Sequence, residues 1–151
     1  MYYGVITWLR GLRSWADGIA RALRPGGFLY LADCHPVALA MEVPQGESVP
    51  RLQDRYFNDG QPLRCQGAGG TYAAPKAKTQ CNITYQWVHA LQDIVGALLA
   101  AGLRLEYLHE FPYTFYRKWS PMRQDEQGWW HLLEGAGLVP LMFSVKAVRP
   151  V

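Results

Sequence analysis

The chain has 151 residues, half of them hydrophobic and 18% charged, with a formal net charge of +3. That length corresponds to one domain, and the composition excludes a disordered or collagen-like chain. The longest apolar stretch, Ile94 to Leu103, is about half the ~20 residues a membrane-spanning helix needs.

The basic residues are scattered, with Arg10, Arg13, Arg21 and Arg24 the densest group. A solvated helix face accounts for them, with a phosphate-binding patch as the alternative. No zinc-finger, basic-zipper or RNP-like pattern points to nucleic acid. Cys34, Cys65 and Cys81 contain no CxxC pair. This argues against a disulfide scaffold, and the absence of short chelating spacing argues against a metal centre. A reducing compartment follows. With no charged n-region or cleavage site at the start, a cytoplasmic location is the expectation. Six Trp and nine Tyr suit a large-residue core or an aromatic-walled pocket.

In chain order, Met1 to Leu9 reads as the tail of a strand entering a loop. Ser14 and Asp17 have the spacing of a capping box. Trp15, Ile19, Ala22 and Leu23 then mark an amphipathic helix, which Pro25-Gly26-Gly27 ends. Phe28 to Ala32 reads as a strand buried on both faces, with Asp33 to Pro36 just past its carboxyl end. Ligands bind at that edge in open α/β sheets.

Residues 37–81 lose the helical period and read as one long insertion. Asn58-Asp59-Gly60 predicts a turn joining Arg55–Phe57 to Leu63–Cys65 in a β-hairpin. Structure-poor insertions of this length commonly serve as lids. Val88, Leu91, Ile94, Val95, Leu98 and Leu99 mark a second helix, stopped by Gly102. Leu103 to Phe111 alternates as a strand near a sheet edge, Pro112 to Gly137 reads as an aromatic loop, and Leu141 to Val148 is a last strand. No helical pattern separates these two strands, so they are expected to pair antiparallel. The expected fold is a single α/β domain.

The segments "LRPGG" followed by "FLYLAD", "LQDIVGALLAAGLRLEYLHEFPY" and "LVPLMFSVKAVRP" together resemble the class I S-adenosylmethionine-dependent methyltransferases. They correspond in order to the entry into the family's fifth strand, its last helix with the sixth strand, and its seventh strand. The opening "YYGVITWLRGLRSWADGIARAL" resembles the exit from the fourth. The resemblance implies a partial Rossmann-like sheet of strands five to seven with the end of four, and residues 37–81 as a lid. The family's glycine-rich turn and ribose-binding acid have no counterpart. "GAGG" at Gly67 to Gly70 follows no apolar strand, and Pro75 comes too soon for a helix.

On this resemblance the chain is expected to be the C-terminal half of a methyltransferase, with S-adenosylmethionine as cofactor and a small molecule as methyl acceptor. A shortened, non-catalytic binding or partner subunit is the alternative. The resemblance also implies that Gly4, Val5 and Ile6 lie against the cofactor. His35, past the central strand, and His89, before the second helix, are candidate bases or substrate ligands. Trp87, Tyr113 and Phe115 are candidate pocket walls. The bland alternatives are a turn histidine, a helix-entry cluster and core packing. With most of the fourth strand missing, one edge of Phe28 to Ala32 is expected to recruit a second copy, an N-terminal half or another protein.

Overall fold

The computed structural model describes residues 4–66 and 80–151. After a short 3-10 turn at Ile6–Trp8, helix α1 (Leu12–Ala22) starts from Gly11, whose backbone is extended. The helix thus begins two residues ahead of Ser14 because Leu12 is buried in the core. Ser14 and Asp17 therefore form no capping box, and Asp17 instead accepts from Arg13 Nε at 3.3 Å. At the other end Arg149 Nη1 donates to the carbonyls of Ala20 (3.0 Å) and Leu23 (2.5 Å). These are among the terminal carbonyls that a helix cannot satisfy internally.

Strand β1 (Phe28–Cys34) is followed by one helical turn, α2 (Pro36–Leu39). Burial on both faces holds only for its second half, since Phe28 is 55% exposed. Two short ladders come next. One joins β2 (Met41–Glu42) to β3 (Arg51–Leu52), and the other joins β4 (Leu63–Gln66) to β5 (Ile83–Gln86).

The predicted hairpin around Asn58-Asp59-Gly60 does not form. The turn itself is present, with Gly60 at φ 81° and its N–H bonded to Asn58 Oδ1 at 2.7 Å. Its flanks find other partners. Arg55 Nη2 reaches Asp59 Oδ1 at 3.0 Å and also donates to the Gln61 carbonyl. Gln53 and Asp54 send their N–H groups to the Ala40 carbonyl. Side-chain and loop bonds take the groups a ladder would need. Leu63–Cys65 pairs with residues 84–86 instead.

Helix α3 (Leu91–Ala100) starts at Ala90, whose N–H bonds Asp93 Oδ2 at 2.9 Å. Gly102 ends it at φ 81°, with Gly102 N–H on the Leu99 carbonyl and Leu103 N–H on the Leu98 carbonyl. This double closure is the Schellman motif. β6 (Arg104–Phe111) follows. The segment expected as a loop to Gly137 holds a hairpin, β7 (Met122–Gln124) with β8 (Trp130–Leu132). Asp125 Oδ1 closes its turn by accepting from Gln127 and Trp129 N–H, and Gly128 supplies φ 90°.

The last strand, β9 (Met142–Val148), lies between the other two long strands, in the order β1-β9-β6, and is antiparallel to both. The expected antiparallel pairing of the closing strands is therefore present. β6 is an edge strand, as its alternation implied. β9 is central, and its polar Ser144 is only 1% exposed. Arg149 N–H bonds the Gly27 carbonyl and His35 N–H bonds the Leu141 carbonyl at the two ends of the β1 ladder. Odd-numbered residues of β1 therefore direct their backbone groups to β9. Phe28, Tyr30 and Ala32 direct theirs to the opposite edge.

Leu29 and Leu31 of β1 and Phe143, Val145 and Ala147 of β9 meet Ile94 and Leu98 of α3 and Ala16 of α1 in one core. Each fully buried large side chain there contributes about 1.5–3 kcal/mol by removal from water. Trp119, Met122, Leu132 and Leu141 form a second, smaller core under the hairpin. Among the described residues, no helix is long and apolar enough to cross a membrane.

Candidate functional site

Asp33 ends the hydrophobic run of β1 on the face that carries Leu29 and Leu31, and it is 2% exposed. Its carboxylate accepts four backbone N–H groups. Oδ1 takes those of Gly4 (3.0 Å) and Cys34 (2.7 Å), and Oδ2 those of Val5 (3.0 Å) and Ile6 (3.2 Å). Burial raises its pKa and the four N–H groups act in the opposite direction. The segment 4–6 is thus hung from the carboxyl end of β1 by a side chain.

Beside this anchor lies a cavity of about 230 Å3. Ile6, Asp33 and Cys34 form its floor, Glu42, Arg55 and Cys65 line the side built by the insertion, and Trp87, His89 and Ile94 lie on the α3 side. A second hollow of about 550 Å3 shares Thr7, Asp33, Cys34, Gln86 and Tyr116 with it and extends to Gly4 and Phe115. The Cys34 thiol is pushed up to about 11, by burial first and by the neighbouring Asp33 carboxylate second. It is a neutral thiol, not a thiolate nucleophile.

Polar side chains hold the rim together. Glu42 accepts from Lys118 Nζ at 2.9 Å and from Trp119 Nε1 at 3.0 Å. This ties β2 to the segment preceding β7. Trp87 is fixed by its own N–H on the Thr7 carbonyl at 2.8 Å. His89, 6% exposed, places Nε2 2.7 Å from the Leu9 carbonyl and Nδ1 3.4 Å from Asn58 Nδ2. These contacts fit a neutral ring that donates from Nε2 and accepts at Nδ1.

His35 lies apart from the residues lining either hollow. Its Nδ1 accepts Val37 N–H at 3.1 Å, capping α2. Nε2 is 2.9 Å from Glu110 Oε1 on β6. Burial pulls its pKa below the ordinary histidine range, against the pull of Glu110. A ring whose Nδ1 lone pair is used by the backbone has no free site for accepting a substrate proton.

Of the three wall candidates, Trp87 lines the smaller cavity and the other two separate. Phe115 lines the larger hollow. Tyr113 stacks instead in an aromatic cluster with Phe111, Trp129 and His131, at ring separations of 5.3, 5.0 and 5.5 Å. Of the cofactor candidates, Ile6 lines the cavity, Gly4 the larger hollow, and Val5 bonds Asp33. Sequence reasoning passed over Asp33, Arg55 and Lys118. An acid closing an apolar strand was the available signal for Asp33, whereas Arg55 and Lys118 carry no local mark. "GAGG" lies outside the described residues. Among those described, no group of three or more metal-ligating side chains gathers.

No protein-family model matches the sequence, and no curated protein does so significantly. Solved structures do match. One, from Listeria monocytogenes and assigned as an S-adenosylmethionine-dependent methyltransferase, superposes with a TM-score of 0.61 at 12% identity, over 99% of this chain. An S-adenosylmethionine-dependent methyltransferase from Mesorhizobium loti superposes at 0.58 with 15% identity, over 97% of this chain. The fold is methyltransferase-like. The chain spans 59% of the length of each of these two proteins.

Proposed function

We propose that this chain forms the acceptor side of an S-adenosylmethionine-dependent methyltransferase acting on a small molecule. The observation that carries the reading is the position of the cavity. It opens at the carboxyl end of β1, under an insertion and beside the segment hung from Asp33, on a methyltransferase-like fold. In this reading the sheet is the family's strands five to seven with the end of four, and residues 37–81 act as its lid.

The larger hollow, bounded by Gly4, Thr7 and Phe115, is where the cofactor would touch this chain. Gly4 has φ 67° and open space where a Cβ would stand, so a ligand can approach its backbone closely. When bound, the cofactor supplies an activated methyl group on a sulfonium. Asp33 cannot hold its ribose, because that carboxylate is committed to four N–H groups. The glycine turn and ribose acid are therefore assigned to a complementary segment, in the same protein or a partner, docked along the open edge of β1. A second copy meeting that edge is the other form of the same proposal.

Within the cavity His89 is the group placed to receive a proton. Its Nδ1 is held by the long 3.4 Å contact to Asn58, which a substrate hydroxyl or amine can displace. His35 positions α2 and β6 and takes no proton. The non-catalytic alternative is favoured by one observation: both ring nitrogens of His89 and Nδ1 of His35 already have protein hydrogen-bond partners, and His35 Nε2 lies 2.9 Å from Glu110 Oε1.

Calorimetry and a radiolabelled-methyl transfer assay test the reading. The chain alone is expected to show no micromolar affinity for S-adenosylmethionine, and transfer should appear once the complementary segment is supplied. His89→Ala should then lower turnover more than cofactor affinity. Undiminished transfer in His89→Ala would remove it from the chemistry. No transfer with the cofactor demonstrably bound would favour the non-catalytic subunit.

A further inference from the structure

Two of the buried N–H groups of the small cavity's lining have no acceptor. Trp87 Nε1 and Arg55 Nε are both inaccessible to solvent and unbonded among the described residues, and both side chains line the 230 Å3 cavity. Neither can easily turn away. The Trp87 backbone is fixed on Thr7, and Arg55 Nη2 is clamped by Asp59 Oδ1 and the Gln61 carbonyl. Buried donors are nearly always paired, so an unpaired pair in one cavity calls for an explanation.

The remaining polar groups say what is missing. Lys118 is already used by Glu42, Asp33 by four N–H groups, and the His89 nitrogens by Leu9 and Asn58. The two buried atoms of this lining left without a partner among the described residues are both donors, so what they call for is acceptor oxygen. The volume limits the occupant to a small molecule, since a cavity of about 150 Å3 already accommodates benzene. The apolar lining, including Leu39, Leu63 and Ile94, suits a flat or branched hydrocarbon body.

We infer that the small cavity binds a compact, largely apolar molecule through a carbonyl or carboxylate oxygen, which accepts from Trp87 Nε1 and Arg55 Nε. This takes the cavity to be the acceptor's site as proposed above.

The test needs neither cofactor nor methyl transfer, so it stands apart from the methyltransferase reading. The full chain, labelled with 15N, is titrated with benzoate, benzamide and benzylamine while the six Trp indole resonances are followed, with Trp87→Phe used for assignment. Benzoate or benzamide is expected to move the Trp87 indole proton saturably. Whichever of the two binds tighter distinguishes the charged from the neutral oxygen. Trp87→Phe and Arg55→Lys, which retain an aromatic ring and the charge but lose the N–H in question, should each weaken binding by about three- to tenfold, the effect of one hydrogen bond. Trp87→Phe should also leave the ligand-free urea midpoint unchanged or higher, because it removes an unsatisfied donor. Unshifted Trp87 with both oxygen probes, equal binding by benzylamine, or wild-type affinity in both variants would overturn the inference. So would a lowered midpoint in Trp87→Phe, which would make the indole N–H a structural group.

Discussion

Replacing Asp33 by Asn tests the anchor on which the candidate site hangs. The amide keeps the shape of the side chain but turns one accepting oxygen into an NH2 group. Whichever way it flips, two backbone donors lose their acceptor: Gly4 and Cys34 if Oδ1 is replaced, Val5 and Ile6 if Oδ2 is. In each pair one bond is buried and one partly buried. A buried orphaned N–H costs about 1–3 kcal/mol and a partly wetted one less. The gross loss is therefore about 2–4 kcal/mol, offset in part because no charge has to be desolvated. A net loss of about 1–3 kcal/mol in urea denaturation is expected, with faster hydrogen exchange at Gly4 and Cys34 or at Val5 and Ile6, according to the amide's orientation. The pH dependence carries a sign of its own. Burial raises the native pKa of Asp33 above its ordinary 3.8. Between that value and the raised one the native state holds more protons than the unfolded chain, so this group's contribution to stability falls as pH rises through the window. An amide does not titrate, so Asp33→Asn should lack that component. Unchanged exchange at residues 4–6, or parallel pH profiles for variant and wild type, would refute the account of Asp33 as a buried carboxylate holding this segment.

Ile94→Ala, at a fully buried position between α3 and the sheet, should cost about 2–5 kcal/mol in the same assay; a loss under ~1 kcal/mol would mean the core is looser than described. Arg149→Ala removes the donor that serves the last carbonyls of α1, so a loss of about 1–2 kcal/mol is expected, with amide exchange quickened in the last turn of that helix. Gly102→Ala, at φ 81°, should cost about 1–2 kcal/mol, the penalty of a Cβ in the left-handed region, read by thermal melting. His35→Asn should retain more stability than His35→Ala, because a short amide can still cap Val37 N–H; equal melting temperatures would show that the cap contributes nothing.

What the sequence disclosed followed from period and punctuation. The stripe Ile94, Leu98 and the stop at Gly102 define α3, and the unbroken apolar run defines β1. What it hid depended on partners distant in the chain. Asn58, Asp59 and Gly60 carry every mark of a hairpin turn, yet the strand that claims Leu63–Cys65 lies some way further along, at residues 84–86. Asp125 and Gly128 build a turn as well formed as any in the chain, but flanking strands of three residues are too short for alternation to register. For the site, position along the chain put Trp87, His89 and Phe115 near a pocket. It could not reveal that Tyr113, two residues before Phe115, belongs to a different aromatic cluster. Nor could it show that Nδ1 of His35 is consumed by the fold itself, as the cap of Val37 N–H.

The central position of β9 has a kinetic consequence. β1 and β6 do not touch each other in the ladder order; each finds its partner only in the last long strand, where Phe28 meets Val148 and Arg104 meets the same residue from the other side. Until that strand has left the ribosome, β1 and β6 lack the strand that joins them into one sheet. The pairing that closes the core also spans nearly the whole chain, and such non-local closure is slow because its loop entropy precedes its reward. Synthesis therefore leaves β1 without its β9 partner, and prone to aggregation, until that strand emerges. Truncation within the final seven-residue strand would leave the sheet without its middle.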